Sequence, residues 1–184
     1  KNEIVKISDA LKIANEELEA KGGSNPNFLY REGEALRTIY VVPSLGIDPS
    51  TGKELYLDRF GNVTYVWDAR DKRACGVEEP KYRGNINTMF TWRDLSVNLS
   101  FGYRLGGHLY NSTLIDRVEN ANVLYNVDKR VYDERWRNPG DRTFFKDIKD
   151  KTATQMTSRF VQKENTLECQ NVQLKYDFTQ KWVK

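Results

Sequence analysis

The chain has 184 residues, enough for one domain with a sizeable core, and is polar for that length: 39% hydrophobic against 30% charged. Its net charge of +3 is spread along the sequence without a Lys/Arg block, which argues against nucleic acid as a partner. Ten Tyr, eight Phe and four Trp exclude a disordered chain, and no apolar run approaches the roughly 18 residues of a membrane helix. Membrane strands are not excluded, because they need only about 9–11 alternating residues.

The sequence starts at Lys1, without Met or an apolar leader, and so reads as a mature chain or an internal piece. Residues 1–21 predict a helix, with Ile4, Ile7, Leu11, Ala14 and Leu18 on one narrow stripe, Ser8 or Asp9 as cap, and Gly22-Gly23 as the stop. Gly22 to Asn27 is a loop. Ile39 to Val42 suit a strand, but Pro43 cannot donate to a ladder, which argues against a central position. DPSTG is a turn, and KELYLDRFGNVTYVW predicts a hairpin around Arg59 to Asn62.

Residues 87–103, NTMFTWRDLSVNLSFGY, sort by parity. With Arg93-Asp94 as a two-residue turn, Trp92 faces Leu95, Phe90 faces Val97, Thr88 faces Leu99 and Ile86 faces Phe101. One face then carries Ile86, Phe90, Trp92, Leu95, Val97, Leu99 and Phe101, and the other carries Asn85, Asn87, Asn98 and Ser100. One explanation is a hairpin in a soluble sandwich, apolar side inward. The other is a membrane barrel, with the first set facing lipid and the second facing the lumen. The nine-residue strands, the aromatics at their ends, and the pairing of a very short turn with very long connections favour the barrel.

Residues 104–158 show little alternation. LIDRVENANVLY and VYDERW each predict a short helix, and NPGD a turn. SRFVQKENTLECQNVQLKYDF alternates again, with a bulge expected near Gln170 or Asn171. By parity the chain reaches a second periplasmic turn near Thr179 to Lys184.

SLGIDPSTGKELYLDRFGNVTYVW, EEPKYRGNINTMFTWRDLSVNLSFGYRLGGHLYN, DKRVYDERWRNPGD and the final alternating segment together resemble the later part of SusC/RagA-like TonB-linked outer-membrane transporters. The resemblance covers nearly the whole chain in order. It implies an all-β fold: a segment of a large antiparallel transmembrane β-barrel with long, partly helical extracellular loops. In those terms residues 1–83 form a helix plus an extracellular hairpin region, 84–103 a barrel hairpin, 104–158 a long extracellular loop, and 159–184 a barrel strand entering a periplasmic turn. It implies import of oligosaccharides or peptides across the bacterial outer membrane, and a SusD-like surface lipoprotein as lid. The remainder of the barrel and outer-membrane lipid are the other partners. TonB would be reached only through an N-terminal plug, which, like the closing strand, is expected to lie outside this piece.

No enzyme, cofactor or metal is expected. His108 is the only histidine, so a multi-His metal site is impossible, and its GGHLYN setting predicts a solvated loop residue. Carboxylate pairs such as Glu78-Glu79 and Asp133-Glu134 read as solvated surface. Cys75 and Cys169 form one disulfide or none. Arg135, Trp136 and Arg137 in DERWRNPGD, with Trp67, are candidate contacts to substrate or a partner; the competing role for the tryptophans is to anchor loops by burial. The alternative function is a soluble carbohydrate-binding or adhesion β-domain that uses exposed Trp side chains.

Overall fold

The computed structural model describes residues 2–178. Strands dominate, helices are few and the sheets are antiparallel. The chain divides into two compact units, one of residues 2–78 with 108–162, the other of residues 79–107 with 163–178. The turn expected near Thr179 to Lys184 lies outside the described residues.

The first unit opens on α1 (Asp9–Ala20), shorter than the sequence predicts. Ser8 caps it, its hydroxyl accepting from the Leu11 N–H at 3.4 Å. The residues before it are extended, because Ile4 pairs its backbone with Glu34 and Gly33 instead. The helix is held less by its apolar stripe than by buried Asn15, whose amide donates to the Tyr30 carbonyl and accepts from the Tyr30 N–H. The Lys72 ammonium donates to the C-terminal carbonyls of Leu18, Glu19 and Lys21, a cation placed where the helix dipole is negative.

Strand β1 (Thr38–Val41), which ends before Pro43, pairs with β5 (Arg73–Val77) in a two-stranded sheet, and Phe28 adds a single antiparallel bridge to Ile39. Beyond the proline, β2 (Ser44–Ile47), β3 (Glu54–Leu57) and β4 (Val63–Thr64) form a second sheet in sequential order. The hairpin read around Arg59 to Asn62 is its β3–β4 edge, with Leu57 opposite Val63. Its turn is tied by Asp58, whose carboxylate accepts from the Phe60 and Asn62 N–H groups.

Residues 111–160, which carry no strand alternation, supply most of the core. The helical turns α2 (Ser112–Leu114), continued by a wider turn over Ile115–Glu119, and α3 (Arg130–Asp133) stand where short helices were expected. Leu114, Ile115, Val118, Val131, Phe145 and Phe160 form one buried cluster, and Ile39, Val41 and Met156 another; Tyr110 packs against both.

In the second unit, β6 (Tyr82–Trp92), β7 (Leu95–Tyr110) and β8 (Val161–Tyr176) form one three-stranded sheet, to which the unit contributes all of β6, β7 up to Gly107 and β8 from Lys163. Every β6–β7 pair expected from the two-residue turn is present, from Ile86 opposite Phe101 to Trp92 opposite Leu95. Arg93 takes φ 53°, a positive value at the first turn position where glycine is usual. β7 runs on to Tyr110, beyond Tyr103 where the alternation weakens. His108 therefore belongs to a strand and not to a solvated loop; in the first unit its ring packs where a side chain on Gly76 would stand.

Candidate functional site

The sheet of the second unit presents two chemically distinct faces. Because side chains alternate, Ile86, Phe90, Trp92, Leu95, Val97, Leu99 and Phe101 share one face, and Asn85, Asn87, Asn98 and Ser100 the other. Three of the apolar face's largest groups stand open: Ile86 is 55%, Phe90 62% and Trp92 58% exposed. Leu167, Val172, Leu174 and Tyr176 of β8 are exposed as well. On the polar face the pairing is by hydrogen bonds, with the Ser100 hydroxyl donating to Asn87 Oδ1 at 2.5 Å and the Thr91 and Ser96 hydroxyls 3.3 Å apart.

At the end of this sheet away from the Arg93-Asp94 turn lies a polar cleft lined by Arg83, Asn85, Gly102, Arg104, Glu168 and Gln170. Sequence reading missed it. The available signal was two glycines inside strand patterns, which mark close approach. A Cβ on Gly84 would fall 2.7 Å from the Tyr103 hydroxyl, and one on Gly102 2.4 Å from Gln170 Nε2. Tyr103 thus covers the gap at Gly84 across the β6–β7 pair, and the gap at Gly102 admits the β8 amide.

The four residues singled out as contacts are placed chiefly by internal bonds. Arg135 is a correction: only 5% exposed, its guanidinium donates to the backbone carbonyls of Val118, Glu119 and Lys146 and cannot reach a ligand. Burial pulls its pKa down, and the Glu119 carboxylate opposes that shift. Half-buried Trp136 donates from Nε1 to the Pro49 carbonyl at 2.8 Å, and its ring fills the space a Cβ on Gly52 would need, 2.5 Å away. Trp67 donates to the Met156 carbonyl at 3.1 Å and packs on the Ile39–Val41–Met156 cluster. Arg137 is exposed, its guanidinium 3.9 Å from the centre of the Tyr132 ring.

A buried charge cluster also went unread. Arg159 bridges Glu54 at 2.7 Å and Glu119 at 2.6 Å, and Ser44 donates to Glu54 at 2.6 Å. Its members come from three distant segments, so no local spacing reveals it. Cys75 and Cys169 are both free thiols, and burial pushes the Cys75 thiol pKa up. Among the described residues no group of His, Cys, Asp and Glu is arranged to hold a metal.

The fold therefore defines a strand-dominated chain with one open, two-faced antiparallel sheet. No protein-family model and no curated protein matches it. Solved structures do. A structure of the RagAB peptide transporter is similar with a TM-score of 0.65 at 20% identity, over 84% of this chain and 18% of that one. The RagAB peptide importer in its closed-closed state is similar with a TM-score of 0.61 at 20% identity, over the same shares. The chain thus spans about 18% of the length of the structures it resembles, and at that identity the likeness is one of fold.

Proposed function

We propose that the chain is part of a TonB-dependent outer-membrane transporter of the SusC/RagA kind, with β6, β7 and β8 as contiguous strands of its barrel wall. One observation carries this reading: a sheet whose long strands hold an open apolar face on one side and an Asn/Ser/Thr face on the other, in a fold like part of a peptide transporter. An 11-residue strand is about 36 Å long and, tilted by about 45°, spans about 25 Å, the height of an outer-membrane apolar band. Ile86, Phe90, Trp92, Leu95, Val97, Leu99 and Phe101 then meet lipid, while Asn85, Asn87, Asn98 and Ser100 line a hydrated lumen. With the two-residue turn in the periplasm, the long connections 2–78 and 111–160 are extracellular. There Arg137 and the exposed edges of Trp67 and Trp136 contribute to contacts with substrate and with a SusD-like surface lipoprotein. The cargo is a peptide or an oligosaccharide, no catalytic step is assigned, and TonB acts through a plug outside these residues.

A paired substitution in the whole transporter tests this. Leu99→Arg, opposite Thr88 near the middle of the 82–92 span, is expected to cost about 2–4 kcal/mol and to deplete the folded, heat-modifiable protein in outer-membrane fractions. Asn98→Arg, on the other face of the same ribbon, is expected to assemble normally. Equal tolerance of the two arginines would overturn the assignment of lipid and lumen faces.

A further inference from the structure

The cleft in the β6–β7–β8 sheet sets two like charges against each other. Arg83 stands directly opposite Arg104 in the β6–β7 ladder. Cross-strand partners have Cβ atoms about 5 Å apart, and like charges there destabilise the pair. Glu164 answers Arg104 at 3.3 Å, whereas among the described residues no ion pair answers Arg83 or Glu168. Between them buried Gly102 is covered by the Gln170 amide, with the Asn85 amide beside it. Glu164 neutralises one member of the arginine pair, and an anion seated beside Arg83 would neutralise the other and accept forked hydrogen bonds. Adjacent strands lie about 4.8 Å apart, so β6 and β8 bracket a gap of about 10 Å, wide enough for a small polar group but not for a folded partner.

We infer that this cleft is a binding subsite for a peptide carboxylate, resting on the transporter reading above. Arg83 and Arg104 hold the carboxylate, the Asn85 amide donates beside it, and Glu168 with Gln170 accepts N–H groups of the adjoining residue. A neutral glycan would use the amides but would leave the Arg83 guanidinium without a counter-charge. The chemistry therefore favours a peptide, through either its C-terminus or an acidic side chain.

The test uses the whole transporter in detergent and trialanine as free acid and as C-terminal amide, measured by titration calorimetry. The acid is expected to bind about tenfold or more tightly than the amide, the loss typical of one charge-assisted hydrogen-bonded contact. Arg83→Gln and Arg104→Gln are each expected to erase that preference, and Arg83→Lys, which keeps the charge but loses the fork, to retain only part of it. Arg83→Gln removes a repulsion from the ladder, so its heat-modifiable mobility is expected to persist. Gly102→Val, whose side chain would displace the Gln170 amide from the cleft, is expected to weaken binding of the acid. A tripeptide amide carrying Glu separates the two sources of carboxylate: binding like the acid assigns the cleft to acidic side chains too, and binding like the plain amide to the C-terminus. Equal binding of acid and amide, no binding of either, a preference that survives both glutamine variants, or an arginine-independent neutral oligosaccharide in the cleft would overturn the inference. A protein that reaches the outer membrane and moves peptides without an acid–amide difference sinks the subsite alone, whereas one absent from that membrane sinks the transporter reading.

Discussion

Arg159 keeps its charge although its side chain is only 3% exposed, and the carboxylates of Glu54 and Glu119 that meet it are as deeply buried. Burial alone pulls the guanidinium pKa down, but the hydrogen bond and charge of Glu119 and the charge of Glu54 outweigh it and push the value up. The Phe144 and Phe160 rings cover the guanidinium, with centres 5.5 and 4.5 Å away. Arg159→Met would strand two buried carboxylates, with an expected loss of about 3–5 kcal/mol, read as faster amide exchange across residues 114–119. Asp48 behaves differently because it is half-buried at a turn and held by hydrogen bonds, without a charged partner. The Tyr65 hydroxyl, then the Ser50 N–H and Thr51, hold its carboxyl at about 2 instead of 3.8, and the same bond pushes the Tyr65 pKa up. A depressed carboxyl pKa stabilises the fold above its ordinary value and loses that contribution as pH falls from about 4 towards 2. Carbon NMR of the Asp48 carboxyl is expected to show the low midpoint, and Tyr65→Phe to move it upward.

The DPSTG turn and the DERWRNPGD segment show how an element is fixed from a distance. Gly52 takes φ 72°, where a side chain would be strained and would also collide with Trp136. Trp136→Phe keeps a ring over the turn but deletes the bond to the Pro49 carbonyl, at an expected cost of about 1 kcal/mol. Trp136→Ala is expected to cost more, and limited proteolysis at 138–141 should rank wild type, Phe and Ala in that order. Both tryptophans the sequence offered as contacts proved to be anchored through Nε1. Composition shows that a Trp is present but not where its N–H is used. The hairpin was legible for the opposite reason: with a period of two and a two-residue turn, one register alone keeps the faces unmixed. Helix α1 was overextended because its stripe continues into residues whose backbone pairs elsewhere.

The two units differ in what they enclose, although exposed apolar side chains such as Val5, Phe60 and Leu124 occur in the first as well. In the first unit Tyr40, Phe145, Phe160, Leu29 and Ile39 are almost wholly enclosed. In the second, a row of large side chains from three strands stands open, at about 1.5–3 kcal/mol each if left in water. The 184-residue chain is accordingly expected to self-associate in detergent-free buffer and to disperse in detergent micelles, as followed by sedimentation velocity. A cooperatively unfolding monomer without detergent would contradict the wall-strand reading. The core of residues 111–160 escaped sequence reading because it is assembled from single residues such as Val131, Phe145 and Met156, spaced by turns and following neither a helical nor a strand period.

By itself the sequence determined the ribbon 84–103: its turn, its pairing and the chemistry of its two faces, since alternation is a local property that each residue carries without help. It also marked the turns at DPSTG and NPGD. Tertiary structure alone decided that Arg135 turns inward, that Glu54, Glu119 and Arg159 meet, and that Arg83 and Arg104 share a cleft with Gly102, closed by β8. Those arrangements join residues tens of positions apart, and only the packing of the folded chain selects which distant charges become neighbours.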